Sequence, residues 1–206
     1  MAQFFQIHPK DPQPRLINRS ADMIRAGGVI VYPTDSSYAL GCRMDDKTPL
    51  ERIRRIRQLG DDHNLSLVCV DLSQISTFAK VANESYRLIK SLTPGPFTFI
   101  LPATRETPKR LQHSKRKTIG IRLPDDPITM AIVSALDQPL FSTTLILPRE
   151  DEALTDPELI RDRLEKEVDL VIDAGQVAYQ PTTIIDLTGD SPVIVRQGKG
   201  VAPSLR

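Results

Sequence analysis

A β-branched run that stops at a proline constrains this chain most. Val29, Ile30, Val31 and Tyr32 follow a Gly27-Gly28 break and read as a strand. Pro33 ends the ladder, because it has no N–H to donate and its φ is fixed. Beyond it come Thr34, Ser36, Ser37 and Tyr38, which read as a loop crowded with hydroxyls. In α/β proteins ligands sit outside the carboxyl ends of strands, so such a loop is a natural ligand site. It is equally a polar turn, and spacing alone leaves both readings open.

The rest of the chain alternates irregularly between helical and extended patterns. Helices are expected over Leu16–Ala26, from a Thr48-Pro49-Leu50-Glu51 capping box to Leu59, over Ser73–Ala79 and Asn83–Ser91, after Asp126-Pro127, and from a Thr155-Asp156-Pro157-Glu158 capping box to Glu167. Strands are expected over Leu65–Val70, Phe97–Leu101, Thr118–Leu123, Leu140–Leu147, Leu170–Ile172, Thr183–Leu187 and Val193–Val195. Thr93-Pro94-Gly95-Pro96 reads as a rigid turn and Thr107–Lys117 as a basic loop. Mixing without strict βαβ alternation points to an α/β fold with a twisted mixed sheet and packed helices.

Length and composition limit the function classes. The 206 residues predict one domain spanning 1–206 with a full core. A net charge of +1 provides no global pull toward nucleic acid or membrane, so any basic surface must be local. Cys42 and Cys69 lie far apart without ligand spacing, as do His8, His63 and His113, so no metal site is expected. Neither a signal peptide nor a membrane span is evident, and a reduced, cytoplasmic protein is expected. The chain has no GxxxxGK[ST], no GxGxxG and no GxSxG. Nucleotide chemistry here would have to proceed without the usual phosphate loops.

Five segments, taken in order, resemble the YrdC/YciO family, whose better-known members are threonylcarbamoyl-adenylate synthases, and the detailed match is closest to the YciO branch. They are Tyr32-Pro33-Thr34-Asp35 with Tyr38 and Leu40-Gly41; Leu92–Thr98; Ile119–Pro124; Pro181–Leu187; and Val195-Arg196-Gln197-Gly198. The resemblance runs from about Ile17 to Gly200. It implies a twisted mixed sheet with flanking helices around a deep, positively lined concave cavity. It also implies a reaction in which threonine and bicarbonate give a carbamate that attacks the α-phosphorus of ATP, expelling pyrophosphate, in the service of tRNA threonylcarbamoyl-adenosine modification. No covalent nucleophile on the protein is needed. The work is positioning and charge neutralisation, with Mg²⁺ sharing the second task.

Carried over residue by residue, the resemblance places Thr34, Tyr38 and Arg122 at the threonine end, Arg122 as the carboxylate-holding guanidinium. It places Arg57, Thr144, Thr182 and Arg196 near the nucleotide. Two departures stand out. The synthases carry Lys-x-Arg-Pro where this chain has Arg57-Gln58-Leu59-Gly60, and Ser-Ala-Asn where it has Thr144-Leu145-Ile146. Losing one buried charged contact to phosphate costs roughly 2–4 kcal/mol. These departures leave two functions open: a synthase or weakened relative taking ATP, threonine and bicarbonate, or a double-stranded RNA or tRNA-binding module without synthase activity. The second would use the run Lys109, Arg110, Lys115, Arg116 and Lys117 for phosphate contacts, although a charge run is ordinarily a solvated loop.

Overall fold

The computed structural model describes residues 1–60, 63 and 65–205. Its strands are β1 (Gln3–Gln6), β2 (Ile30–Pro33), β3 (Tyr38–Arg43), β4 (Ser66–Val68), β5 (Phe97–Pro102), β6 (Thr118–Arg122), β7 (Leu140–Thr144), β8 (Leu170–Asp173), β9 (Thr183–Asp186) and β10 (Val193–Arg196). Its α-helices are α1 (Pro14–Arg25), α2 (Lys47–Arg57), α3 (Leu72–Phe78), α4 (Asn83–Leu92), α5 (Pro127–Leu136) and α6 (Pro157–Leu164). All these strands join one sheet in the order β1-β8-β2-β3-β7-β4-β6-β5-β9-β10. The β1–β8, β2–β8, β4–β6 and β5–β9 pairs are parallel, and the others are antiparallel. The expected mixed α/β sheet with flanking helices is therefore present.

Local chemistry shifts several expected boundaries. The opening loop is a hairpin: β2 pairs with β3 from Ile30↔Gly41 to Pro33↔Tyr38, and only Thr34–Ser37 turn. The hydroxyls disguised the start of β3. The edge strand β1, with glutamine at both ends, was not expected at all. Both expected capping boxes give way to an adjacent aspartate. Asp46 caps α2 by accepting from the Thr48 N–H at 2.9 Å, and Asp156 caps α6 by accepting from the Glu158 N–H at 2.9 Å. An ionised carboxylate at a helix N-terminus is a stronger acceptor than a hydroxyl and also meets the helix dipole.

The two sheet faces are covered unequally, and this makes the site. On one face α2, α3, α4 and α6 press Leu50, Ile53, Ile56, Ile75, Ile89, Ile160 and Leu164 onto Val31, Leu40, Leu67, Phe99, Ile121, Phe141 and Ile185. On the other, α1 and α5 bury Ile17, Ala21, Ile24, Ile128, Ile132 and Leu136 against Phe5, Ile30, Tyr32, Leu140, Leu170 and Ile172. That second core covers β1, β8, β2 and β3 and reaches Leu140 of β7 and Val68 of β4. Beyond it, the same face of β7, β4, β6, β5 and β9 carries Ser142, Ser66, Gly120, Thr98 and Ile184, and these line a cavity.

Strand alternation assigns neighbours Thr98 and Phe99 to opposite faces. Phe99→Ala should cost about 3–5 kcal/mol of stability, as for other buried aromatic truncations. Thr98→Ala, which removes only a hydrogen bond on the cavity face, should cost about 1 kcal/mol. Urea denaturation of both variants checks this, and comparable losses would contradict the assignment of faces.

Candidate functional site

The cavity on the open face has a volume of about 310 Å³. Its floor follows the sheet register: Ser142↔Ser66↔Gly120↔Ile100 across β7, β4, β6 and β5. Glycine keeps that floor deep, because a Cβ on Gly120 would lie 2.6 Å from Ser66 Oγ and 2.9 Å from the Leu65 carbonyl oxygen. Arg57, Arg122 and Arg196 supply its cations, and the described lining residues include no carboxylate.

Arg122 ends β6 and is buried. Its Nη2 donates to Asp35 Oδ1 at 2.8 Å and to Ser36 Oγ at 3.1 Å, while its buried Nε has no partner among the described residues. Asp35, in the hairpin turn, accepts at its other oxygen from the Asp125 N–H at 3.0 Å. Arg57 closes α2 and donates through Nη1 to the Thr144 carbonyl; its buried Nε is likewise unpartnered among the described residues. Burial holds the Arg57 guanidinium below its ordinary pKa. His63 beside it is also held low, first by burial and then by Arg57 and Arg54, so its imidazole is neutral at pH 7. Arg196, on β10, is aimed by the Thr182 carbonyl, which accepts from its Nη2 at 2.9 Å and its Nε at 3.2 Å. Thr182 Oγ1 in turn lies 2.8 Å from Thr98 Oγ1. The loop after β10 can pass this close only with glycine, since a Cβ on Gly198 would sit 2.1 Å from the Pro181 carbonyl oxygen.

The structure thus brings Arg57, Arg122, Thr144, Thr182 and Arg196 to one cavity. Thr34 and Tyr38 are not among its walls. Thr34 Oγ1 donates to the Ser37 carbonyl at 2.8 Å and accepts the Ser36 and Ser37 N–H groups, holding the hairpin turn. Tyr38 lies in the main core, and its hydroxyl donates to the Gly175 carbonyl at 2.8 Å. The turn touches a cavity residue through Asp35, which pairs with Arg122 and which the sequence reading gave no role although it follows Thr34 in the same motif. Ser66, Thr98 and Ser142 were also missed, because a single cavity-facing hydroxyl in a short strand leaves no pattern, and so was His63, a lone imidazole between α2 and β4. At the two departures, Leu59 packs on the main core, Leu145 is buried in it, and Ile146 lines the cavity.

The basic run behaves unevenly. Arg110 turns inward, and its Nη2 reaches the Met44 carbonyl at 3.4 Å. Arg116 pairs with Asp186 at 3.3 Å, and Lys117 Nζ donates to the Ser114 carbonyl at 2.6 Å. Lys109 and Lys115 are exposed. Arg110 is half-buried and its Nε is buried, so it shows less of its charge to the surface than Lys109 or Lys115.

Asp35→Ala should destabilise the protein by about 3–5 kcal/mol in chemical denaturation, because it leaves the Arg122 charge buried and unpaired. A loss under 1 kcal/mol would show that the pair is not what holds the turn. Burial, the larger cause, also raises Tyr32 and Tyr38 to about 12, despite a hydrogen bond at each phenol. A raised folded pKa means that the unfolded phenol ionises first. Stability is therefore full below pH 10 and should fall by about 1.4 kcal/mol per pH unit for each phenol as pH rises from 10 toward 12. Tyr32→Phe should make that decline shallower, and an unchanged slope would contradict the assignment.

Comparison with known proteins follows this geometry. Residues 22–198 match the family profile Sua5/YciO/YrdC, described as telomere recombination. The protein YciO of Escherichia coli is 56% identical over 200 residues, 97% of each chain, and an uncharacterised protein of Haemophilus influenzae is 57% identical over 201 residues, again 97% of each. The crystal structure of E. coli YciO superposes with a TM-score of 0.96 at 55% identity, covering 100% of both chains. P. abyssi Sua5 complexed with L-threonine superposes with a TM-score of 0.87 at 23% identity, covering 95% of this chain and 57% of Sua5, so that likeness concerns the fold. By the length and depth of these matches, the chain belongs to the Sua5/YciO/YrdC family.

Proposed function

We propose that the open-face cavity binds an amino-acid carbamate next to ATP and forms an adenylate from them. The observation that carries this reading is the convergence of Arg57, Arg122 and Arg196 on one cavity, with buried Nε groups on Arg57 and Arg122 that are unpartnered among the described residues. Three guanidinium groups around one cavity whose described lining holds no carboxylate suit an anionic ligand. The binding of L-threonine by P. abyssi Sua5, which has the same fold, fits this reading.

In the proposed reaction the threonine amine and bicarbonate give a carbamate and water. A carbamate oxygen bonds to the α-phosphorus, the bond from that phosphorus to the bridging oxygen breaks, and pyrophosphate leaves with the electron pair. Arg122, fixed by Asp35, would face the carboxylate end. Arg57 and Arg196 would face the phosphates, with Thr182 and Thr144 as hydroxyl partners and Mg²⁺ carried in by ATP. Such chemistry depends on placement and charge rather than on a nucleophile. Ile146 and the core-packed Leu59 leave the phosphate end with fewer polar groups than the synthases have, so a slow reaction or one on a different carboxylate is expected.

Incubation with ATP, threonine, bicarbonate and Mg²⁺ should yield adenylate and pyrophosphate. Arg57→Ala and Arg196→Ala should each lower the rate by roughly tens to hundreds fold, the equivalent of about 2–3 kcal/mol. Neither product appearing above a boiled control would overturn the reading for this substrate set. Calorimetry on Leu59→Arg adds a check on the phosphate end, where tighter ATP binding is expected.

A further inference from the structure

A second concavity lies away from the arginine-lined cavity, at the opposite end of the β5–β6 hairpin. Lys80, Ala103, Thr104, Arg105, Lys109 and Lys117 are among the residues that line it. Its four cations come from three segments of chain. Lys80 follows α3, Arg105 and Lys109 lie in the loop after β5, and Lys117 precedes β6. All four are exposed. Among the described residues, no carboxylate lies within ion-pairing distance of Lys80, Arg105 or Lys109, and the described lining includes no acid.

The backbone ties these segments into one frame. Ala79 bridges Ala103, and the Lys80 N–H donates to the Pro102 carbonyl at 2.8 Å. The Ala103 N–H donates to the Lys117 carbonyl at 3.0 Å and the Thr104 N–H to the Phe78 carbonyl at 3.0 Å. Thr107 Oγ1 donates to the Phe78 carbonyl at 2.5 Å, and Gln112 Nε2 to the Thr107 carbonyl at 2.8 Å. The cations are thus held on one side of a tied loop instead of being spread over a free one. Gathering like charges around a concavity costs self-repulsion, and a chain with net charge +1 has no overall excess of cations to explain it. A bound polyanion would offset that cost.

We propose that this groove is a phosphate-binding site in which Lys80, Arg105, Lys109 and Lys117 neutralise successive phosphate groups, either of a free oligophosphate or of a nucleic-acid backbone. Phosphate rather than carboxylate is indicated by the number of cations in one groove and by their chemistry. Lysine ammonium groups act as point charges suited to phosphate, and one arginine adds a bidentate fork. The groove has no aromatic platform among its described residues, so bases would not be read.

Two probes separate the sources: inorganic tripolyphosphate by calorimetry and a labelled 20-base-pair RNA duplex by fluorescence anisotropy, each at several salt concentrations. At least one should bind at low salt. The double substitution Lys80→Glu with Lys109→Glu, both exposed, should weaken that binding at least about tenfold and reduce the duplex salt slope by about 2. Arg196→Ala, in the cavity proposed for ATP, should lose any tripolyphosphate bound there but leave duplex binding unchanged, and circular dichroism should show both variants folded. Binding of RNA alone identifies the nucleic-acid backbone as the ligand. Displacement of RNA by tripolyphosphate identifies free oligophosphate as sufficient. Failure of both probes to bind, duplex binding that the double substitution leaves intact, or duplex binding abolished by Arg196→Ala would overturn the proposal.

Discussion

The buried ion pair between Arg122 and Asp35 joins parts of the chain that would otherwise have no reason to meet. Arg122 ends a strand in the middle of the sheet, and Asp35 sits in a hairpin turn 87 residues earlier. Around this contact the Asp125 N–H donates to Asp35, Thr129 Oγ1 donates to the Pro33 carbonyl, and Lys199 Nζ donates to the Asp35 carbonyl. The sheet centre, the start of α5 and the C-terminal loop therefore all converge on the hairpin turn. Buried pairs seldom add much net stability, because the desolvation of both charges opposes their attraction. What this pair fixes is direction: it holds the guanidinium through Nη2, while the buried Nε has no partner among the described residues.

The cavity itself follows from unequal coverage. The face packed by α2, α3, α4 and α6 is continuous core. Among the described elements, α1 and α5 cover the other face, over β1, β8, β2 and β3 and as far as Leu140 of β7 and Val68 of β4. Tyr32 marks the limit of that cover: its ring belongs to the second core, while its hydroxyl donates to Ser142 Oγ at 2.6 Å on the cavity floor. Beyond that hydrogen bond, side chains change from aliphatic to hydroxyl and guanidinium. No added domain or lid is required, since an uncovered stretch of a twisted sheet is concave, and strand alternation decides which side chains face into it.

Legibility in the sequence followed the strength of local signals. Helices with a proline at their start and a 3.6-residue apolar period, such as α1 and α5, were legible to within a residue or two. The strand β3 was not, because Ser36, Ser37 and Tyr38 look like turn chemistry and only the pairing with β2 shows where the turn ends. The short edge strand β1 has too few residues for its alternation to register. In the cavity, Arg122 and Arg196 were legible because motifs surround them. Ser66 and Ser142 were not, because each contributes one hydroxyl whose neighbours point into a core on the other side of the sheet. Arg110 shows the converse case: a cation within a basic run reads as fully exposed, yet it is half-buried with its Nη2 near the Met44 carbonyl.

The two cation clusters show how a nearly neutral chain can present locally positive surfaces. Net charge sets the long-range field, which at physiological ionic strength fades within about 8 Å. What a ligand meets at contact is local. In the cavity, the lining carries three guanidinium groups and no carboxylate among its described residues, and Asp35 neutralises part of the charge from behind Arg122. In the groove at the far end of β5–β6, none of the four cations has a carboxylate partner among the described residues, Lys117 donating instead to the Ser114 carbonyl. The balancing acids lie elsewhere, for instance on α6 and on the loops around Asp45 and Glu150, where they pair with Arg43 and Arg163. Segregating charge in this way lets one small sheet present two anion-attracting surfaces without making the whole protein a nonspecific polycation, and the tight backbone ties at both places keep the cations from relaxing toward those distant acids.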